Sequence, residues 1–168
     1  AIQRQKQGEP PPADAGIFGA NTVLAECGLV LLPVPWDATA SYGKGTARGP
    51  AAMVAASHQM DLEDPEYGSV YEFGIGYDQD CHDRIWQHQR QAEGQSAAVI
   101  NQLSRQVNGE VYRRAQSHLN AGRKVAVVGG EHSAPFGLLK ALNEQVEEFG
   151  VLHIDAHFDL RDTYEGFE

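Results

Sequence analysis

The chain has 168 residues and is 42% hydrophobic, enough for one domain with a packed core. Its formal charge of −10, from 13 basic and 23 acidic residues, excludes a general nucleic-acid binder and weakly suits attraction of a cationic substrate. Mean hydropathy is negative and no apolar run approaches the ~20 residues of a membrane helix, so no membrane partner is expected.

Residues 1–20, with Pro10, Pro11 and Pro12, read as an extended N-terminal arm, and residues 21–168 as part of a single domain. The chain starts at Ala1, and its polar start lacks the apolar stretch of a signal peptide, so a cytoplasmic location is expected. Cys27 and Cys81 lie far apart, with no CxxC pairing, and read as two reduced thiols. Residues 28–35 form a continuous apolar run, the pattern of a buried parallel strand. Residues 36–49 are a loop rich in Gly, Ser and Thr. Pro50 suits the first turn of a short helix through Ala51, Ala52, Val54, Ala55 and Ala56.

Residues 70–75 read as a second strand. In residues 96–120 the apolar positions Ile100, Leu103, Val107, Val111 and Ala115 recur every three or four residues, which predicts a long helix with a kink or split at Gly109. Residues 124–128 are strand-like and run into Gly129 and Gly130. A further helical stripe follows from Ser133, through Leu138, Leu139, Leu142, Val146 and Phe149, with Gly150 just past its end. Residues 151–154 begin a last strand. Strands alternating with helices predict an α/β fold with a mainly parallel sheet, which such a sheet's need for cover on both faces leaves incomplete here.

Two stretches carry chemistry. In residues 151–159 the odd positions read Val, His, Asp, His, Asp and the even ones Leu, Ile, Ala, Phe. On an extended chain Asp155, His157 and Asp159 would share a face, at the carboxyl end of a strand where open α/β sheets bind ligands. Two carboxylates placed so close repel unless a cation neutralises them, so this is a metal-binding pattern. His153 shares the face and suits a hydrogen bond to a ligating group or a packed position. The second stretch, Gly129-Gly-Glu-His-Ser133, turns tightly at a strand end and offers His132 to the same cluster if the strands are neighbours. It lacks a phosphate-loop pattern. The candidate ligands are therefore His132, Asp155, His157 and Asp159. Mixed carboxylate and imidazole donors suit manganese, with iron, cobalt or zinc possible. Two divalent ions bring +4 against −2 from these residues; Asp162, Glu165 and Glu168 lie near, but nothing in their spacing recommends them, so further ligands are expected after Glu168. His58, His82, His88 and His118 read as surface or helix residues, and Trp36 and Tyr42 as loop aromatics that pack or line a substrate loop.

Gly-Gly-Glu-His-Ser followed by Asp-Ala-His-Phe-Asp resembles the first two signature motifs of the ureohydrolases, the arginase and agmatinase family. Residues 33–50, Pro-Val-Pro-Trp-Asp-Ala-Thr-Ala-Ser-Tyr-Gly-Lys-Gly-Thr-Ala-Arg-Gly-Pro, resemble that family's N-terminal loop, so the likeness spans roughly residues 28–167. The resemblance implies a three-layer arginase-like fold, incomplete in this chain, and two Mn2+ ions per complete site. It gives His132 and Asp159 to one ion, His157 to the other, and Asp155 to both. It implies attack of a metal-bridging hydroxide on a guanidinium carbon, a small-molecule guanidino substrate and a homo-oligomer. The family's third motif, which supplies two more aspartates, is not in this sequence, nor are the later histidine and acid that serve proton transfer and guanidinium binding. The chain alone is therefore expected to be inactive, and no catalytic or substrate-binding residue is assigned. Residues 159–166 and the loop near Tyr42 look like agmatinase, which makes putrescine and urea from agmatine. Asp-Ala-His-Phe-Asp-Leu-Arg is also similar to formiminoglutamase, where Arg161 would meet an anionic substrate; in the agmatinase reading Arg161 is structural, paired with Asp162 or Glu165. Arginase typically has an asparagine at Arg161. A non-catalytic relative acting as a binding or scaffold protein is the reading from another class; the four intact ligand positions argue against it. Gly-Gly-Glu-His-Ser argues against a related-fold deacetylase.

Overall fold

The computed structural model describes residues 15–20 and 22–167. Its centre is a three-stranded, all-parallel sheet of β1 (Leu29–Val34), β2 (Ile75–Tyr77) and β3 (Lys124–Gly129), in the order β2-β1-β3. β1 pairs with β3 along its whole length, from Leu29 opposite Lys124 to Val34 opposite Gly129. Among the described residues the α-helices are α1 (Gly49–Ser57), α2 (Gln79–Ala92), α3 (Ala97–Asn120) and α4 (Phe136–Gln145).

The core follows from sequence period. Val30, Leu32 and Val34 of β1 lie in one cluster with Cys81 and Ile85 of α2 and with Leu103, Val107, Val111 and Ala115 of α3. Those helical positions are spaced three or four apart, so each helix turns one stripe to the strands. α4 packs on α3 at Gly137, where an added Cβ would come within 2.6 Å of the Tyr112 backbone nitrogen and 2.7 Å of the Asn108 carbonyl oxygen.

Several expectations hold and several are corrected. The strands expected at 28–35 and 124–128 form, as do the helices after Pro50 and over 96–120. The long helix is unbroken at Gly109, because Val107 and Val111 on its buried stripe hold that turn against the core. Residues 70–73 are a 3-10 turn rather than a strand. Pairing begins only after Gly74, whose φ of 75° redirects the chain into β2. Helix α2 was not anticipated, because Gln79, His82, Gln87, Gln89 and Gln91 mask a sparse apolar stripe at Cys81, Ile85 and Ala92. The helix expected from Ser133 to Phe149 is confined to α4; Val146 is extended, so Gly150 does not cap it. Residues 151–154 form no strand, and Val151, Leu152 and Ile154 are exposed. Of the N-terminal arm, residues 1–14 lie outside the described residues. Residues 15–20 pack on the end of α1: Ile17 is buried, the Phe18 amide donates to Ser57 Oγ at 2.8 Å, and His58 Nε2 meets the Ala15 and Gly16 carbonyl oxygens. No described helix is long and apolar enough to cross a membrane.

One buried ionic group ties α2 to α3. Asp78 caps α2 by accepting from the Cys81 amide at 3.0 Å, and its other oxygen meets His118 Nε2 at 3.2 Å and Arg114 at 3.4 Å. Arg114 also pairs with Glu110 at 3.0 Å and with Asp80. His118, read from sequence as a surface or helix residue, is helical but buried by this pairing. Burial alone would raise the Asp78 pKa. The His118 hydrogen bond, the Cys81 amide and the Arg114 charge outweigh it and hold the carboxyl below its usual value.

Replacing Asp78 with Ala removes the cap and leaves the Arg114 guanidinium and the buried His118 without their partner, so urea unfolding is expected to show a loss of about 3 kcal/mol at neutral pH. Because the folded pKa is depressed, the advantage of wild type over Asp78→Asn should be full above pH ~4 and fade as pH falls through the folded value. A gap that widens in acid would refute the assignment. Gly137→Ala should cost about 1–3 kcal/mol by forcing α4 off α3, measured as a lower Tm at unchanged helix content.

Candidate metal centre

The parallel sheet sends the carboxyl ends of β1 and β3 to one edge, and the candidate ligands gather there. After β3 the Gly130 amide donates to the Val34 carbonyl oxygen at 2.9 Å. A Cβ on Gly130 would sit 2.2 Å from the Trp36 carbonyl oxygen, so only glycine lets the two chain segments approach this closely. The turn that follows carries His132 out to an exposed position, before a bend through Ala134 and Pro135 into α4.

The opposing side comes from residues 153–159, which curl rather than extend. Asp155 Oδ1 accepts from the His157 amide at 2.7 Å, an Asx turn that competes with strand pairing. Asp159 has φ 49°, in the left-handed region that aspartate tolerates better than most residues. The result is a convergence on His132. Its Nδ1 lies 2.8 Å from Asp159 Oδ2 and 3.6 Å from Asp155 Oδ2. His153 Nε2 lies 3.6 Å from Asp159 Oδ2, and the His132 and His153 rings are 5.4 Å apart. One donor atom from each of His132, His153, Asp155 and Asp159 falls within 4.8 Å of the others.

The grouping differs from the one expected. His132, Asp155 and Asp159 come together, but His157 does not join them; its side chain is 81% exposed, with Nδ1 3.1 Å from Asp155 Oδ1. The Asx turn explains this, since it rotates His157 off the face that strict alternation would give it. His153, read as a hydrogen-bonding or packed residue, stands among the donors instead; the odd-position pattern already held it. The His157 amide bond, aided by the nearby imidazoles, keeps the exposed Asp155 carboxyl below its usual pKa. Two carboxylates and two imidazoles at this spacing fit a divalent cation of borderline hardness such as manganese, and the absence of thiolate argues against a structural zinc site.

Surrounding residues settle as follows. Val127, Gly130, His132, Pro135 and Asp155 line an open cleft of about 390 Å³. Trp36 is buried, whereas Tyr42 is fully exposed on its loop. Arg161 lies over the Tyr164 ring, 4.6 Å from its centroid, rather than pairing with Asp162 or Glu165. Glu131, not singled out in the sequence, accepts from Thr39 and Ser133 beside the turn.

Comparison with known proteins identifies the family of the chain. The arginase-family profile matches residues 27–168. A protein of Synechocystis sp. named N(1)-aminopropylagmatine ureohydrolase is 33% identical over 150 residues, covering 88% of this chain and 45% of that protein. A Thermus thermophilus protein of the same name is 32% identical over 152 residues, covering 89% and 46%. A Bacillus anthracis agmatinase is 25% identical over 150 residues, covering 84% and 43%. The chain thus spans about half the length of the curated relatives it matches. A solved structure described as a putative agmatinase from Clostridium difficile has the same fold, with a TM-score of 0.64 and 21% identity, over 85% of this chain and 46% of its own. The chain belongs to the arginase family.

Proposed function

We propose that this arginase-family chain contributes part of a manganese site in a ureohydrolase that cleaves the guanidino group of an amine-tailed substrate, agmatine or its N1-aminopropyl derivative, and releases urea. The observation that carries this is the convergence of His132, Asp155 and Asp159 at the carboxyl edge of a parallel sheet. Family membership and the names of the relatives support the reaction class; the names favour an amine tail over an amino-acid one. The formal charge of −10 favours a cationic substrate in the same direction. In the complete enzyme we place two Mn2+ ions, a cytoplasmic location and a homo-oligomeric assembly.

The roles follow from the donors. His132, Asp155 and Asp159 would hold the cation, and His153 stands within reach of the same position. Divalent manganese would supply Lewis acidity and lower the pKa of water, which is what a flat, delocalised guanidinium needs from its attacker. Asp155 stays ionised because the His157 amide and imidazole donate to it, so it remains a full negative charge for cation binding. Asp155 and Asp159 together bring −2, the charge of one divalent ion, so the described residues balance one ion of the pair. Hydrolysis places the water oxygen on the guanidinium carbon, breaks the carbon's bond to the nitrogen that bears the tail, and passes both water protons to that nitrogen, so that urea and the protonated amine leave.

Manganese titration of the 168-residue chain, followed by EPR of free Mn2+, should show one bound ion. Asp159→Ala should weaken it at least ~10-fold, and His157→Ala, which removes the imidazole behind Asp155 but leaves the His157 amide bond, should weaken it less. In the complete enzyme, urea release should be seen with agmatine or N1-aminopropylagmatine and exceed that with arginine, guanidinobutyrate or formiminoglutamate. Asp155→Asn should reduce it by roughly 10³-fold, the worth of several kcal/mol of charge stabilisation. Turnover of formiminoglutamate alone would end the amine-tailed reading.

A further inference from the structure

We propose that Glu131 is a positioning residue, whose carboxylate latches the loop after β1 onto the turn that carries His132. The proposal rests on the reading above that His132 holds a metal ion. Glu131 Oε1 accepts from Ser133 Oγ at 2.5 Å, within its own turn, and from Thr39 Oγ1 at 2.5 Å, across 92 residues of sequence. Beside this bond the backbone of Trp36 abuts Gly130 so closely that no side chain fits there. The loop and the histidine turn therefore meet at two adjoining points, one a steric contact and one a charge-assisted hydrogen bond.

A latch transmits position only if what it grips is rigid, and this loop is. Asp37 is buried; its Oδ2 accepts from the Gly45 amide at 2.6 Å and the Ala47 amide at 3.1 Å, which closes the loop on itself. Its Oδ1 accepts from Gln89 Nε2 at 2.8 Å, and its amide donates to Gln89 Oε1 at 2.9 Å, which fixes the loop to α2. Lys44 Nζ bridges the loop by donating to the carbonyl oxygens of Asp37, Ala38 and Ala40. Thr39 stands between these anchors, so its hydroxyl is held in place before it meets Glu131. The His132 side chain, by contrast, is more than half exposed and touches Asp159 and Asp155, so its own packing does little to fix the turn it stands on. Holding Glu131 and Ser133 on either side of it fixes that turn. The geometry makes the loop and the metal-binding histidine one mechanical unit, and Glu131 the joint.

The test compares Thr39→Val, Glu131→Ala, their double variant and Glu131→Gln in the full chain. Manganese affinity is read by EPR, and amide exchange of residues 38–45 is read without metal. Thr39→Val and Glu131→Ala should each weaken manganese binding by about 10-fold, the usual effect of losing a partner behind the ligands, and should speed loop exchange. The double variant should be no weaker than the weaker single one, because both break the same bond. Glu131→Gln, which keeps an oxygen acceptor, should stay within a few-fold of wild type. Faster loop exchange in Thr39→Val with unchanged manganese affinity would reduce the bond to a structural tie and overturn the proposal, as would additive losses in the double variant. Failure of the wild-type chain to bind manganese at all would remove the metal reading and this proposal together, a result distinct from the other two.

Discussion

The parallel pairing of β1 with β3 is the constraint on which everything else depends. Six consecutive residues of each strand are in register, and β1 is buried from Val30 onward. A one-residue slip would turn Val30, Leu32 and Val34 away from Ile85 and Val111, so burial fixes the register. Parallel direction then forces both chains to leave the sheet at the same edge. Val34 opposite Gly129 brings the Trp36 loop and the Gly130 turn out side by side, and the absence of a Cβ at Gly130 lets them touch. The candidate metal centre and the loop beside it are thus consequences of one pairing, made between strands almost a hundred residues apart.

Two sets of acidic groups show how environment divides structural from ligand-ready charge. Asp78 is buried, and each of its oxygens is met by a donor from the same domain. Removing such a group costs several kcal/mol, because the partly buried Arg114 guanidinium would lose its counter-charge and His118 Nε2 its hydrogen-bond partner. Asp155 and Asp159 are solvated, and the His132 and His153 imidazoles stand beside them. Water screens interactions at such spacing, so they do not commit the carboxylates to folding. The buried set holds α2 on α3, and the exposed set keeps its charge available for a cation.

What the sequence made legible follows the same division. Long-period signals were readable: the stripe from Ile100 to Ala115, the run through Leu31, and the strand ahead of Gly129, all of which the core enforces. Helix α2 was hidden because three buried side chains suffice to dock fourteen residues when Asp78 caps the helix and Arg114 grips it. The 3-10 turn over Val70–Phe73 looked like a strand because Val70, Tyr71 and Phe73 have strand-type side chains, while Gly74 decides the backbone. At the metal centre the residue types were legible and their arrangement was not. Alternation assumes an extended chain, and the Asp155 side chain breaks that assumption by capping the His157 amide. The exchange of His157 for His153 in the cluster follows from that one local bond. Glu131 was passed over because its partner Thr39 lies in another part of the sequence, and no local pattern announces such a contact.

The segment after α4 shows polar and apolar halves of one pattern obeying different requirements. Its odd positions, His153, Asp155 and Asp159, need only each other and His132 to converge, and short-range bonds with one Asx turn achieve that. Its even positions need a surface to bury against, and Leu152, Ile154 and Phe158 remain 86–87% exposed. Burying apolar area contributes about 25 cal/mol per Å², so three large side chains left in water forgo several kcal/mol that a paired, covered strand would gain. β3 offers such a segment its outer edge, and its residues from Val125 to Val128 are themselves only partly covered. Strand pairing there would straighten residues 151–154 and trade the present curl for burial, while the His132 turn, held from the other side by Gly130 and Glu131, would stay where it is. One half of the centre is therefore built on the β1–β3 pairing, and the half that carries Asp155, His157 and Asp159 is held by its Asx turn and its contacts with His132.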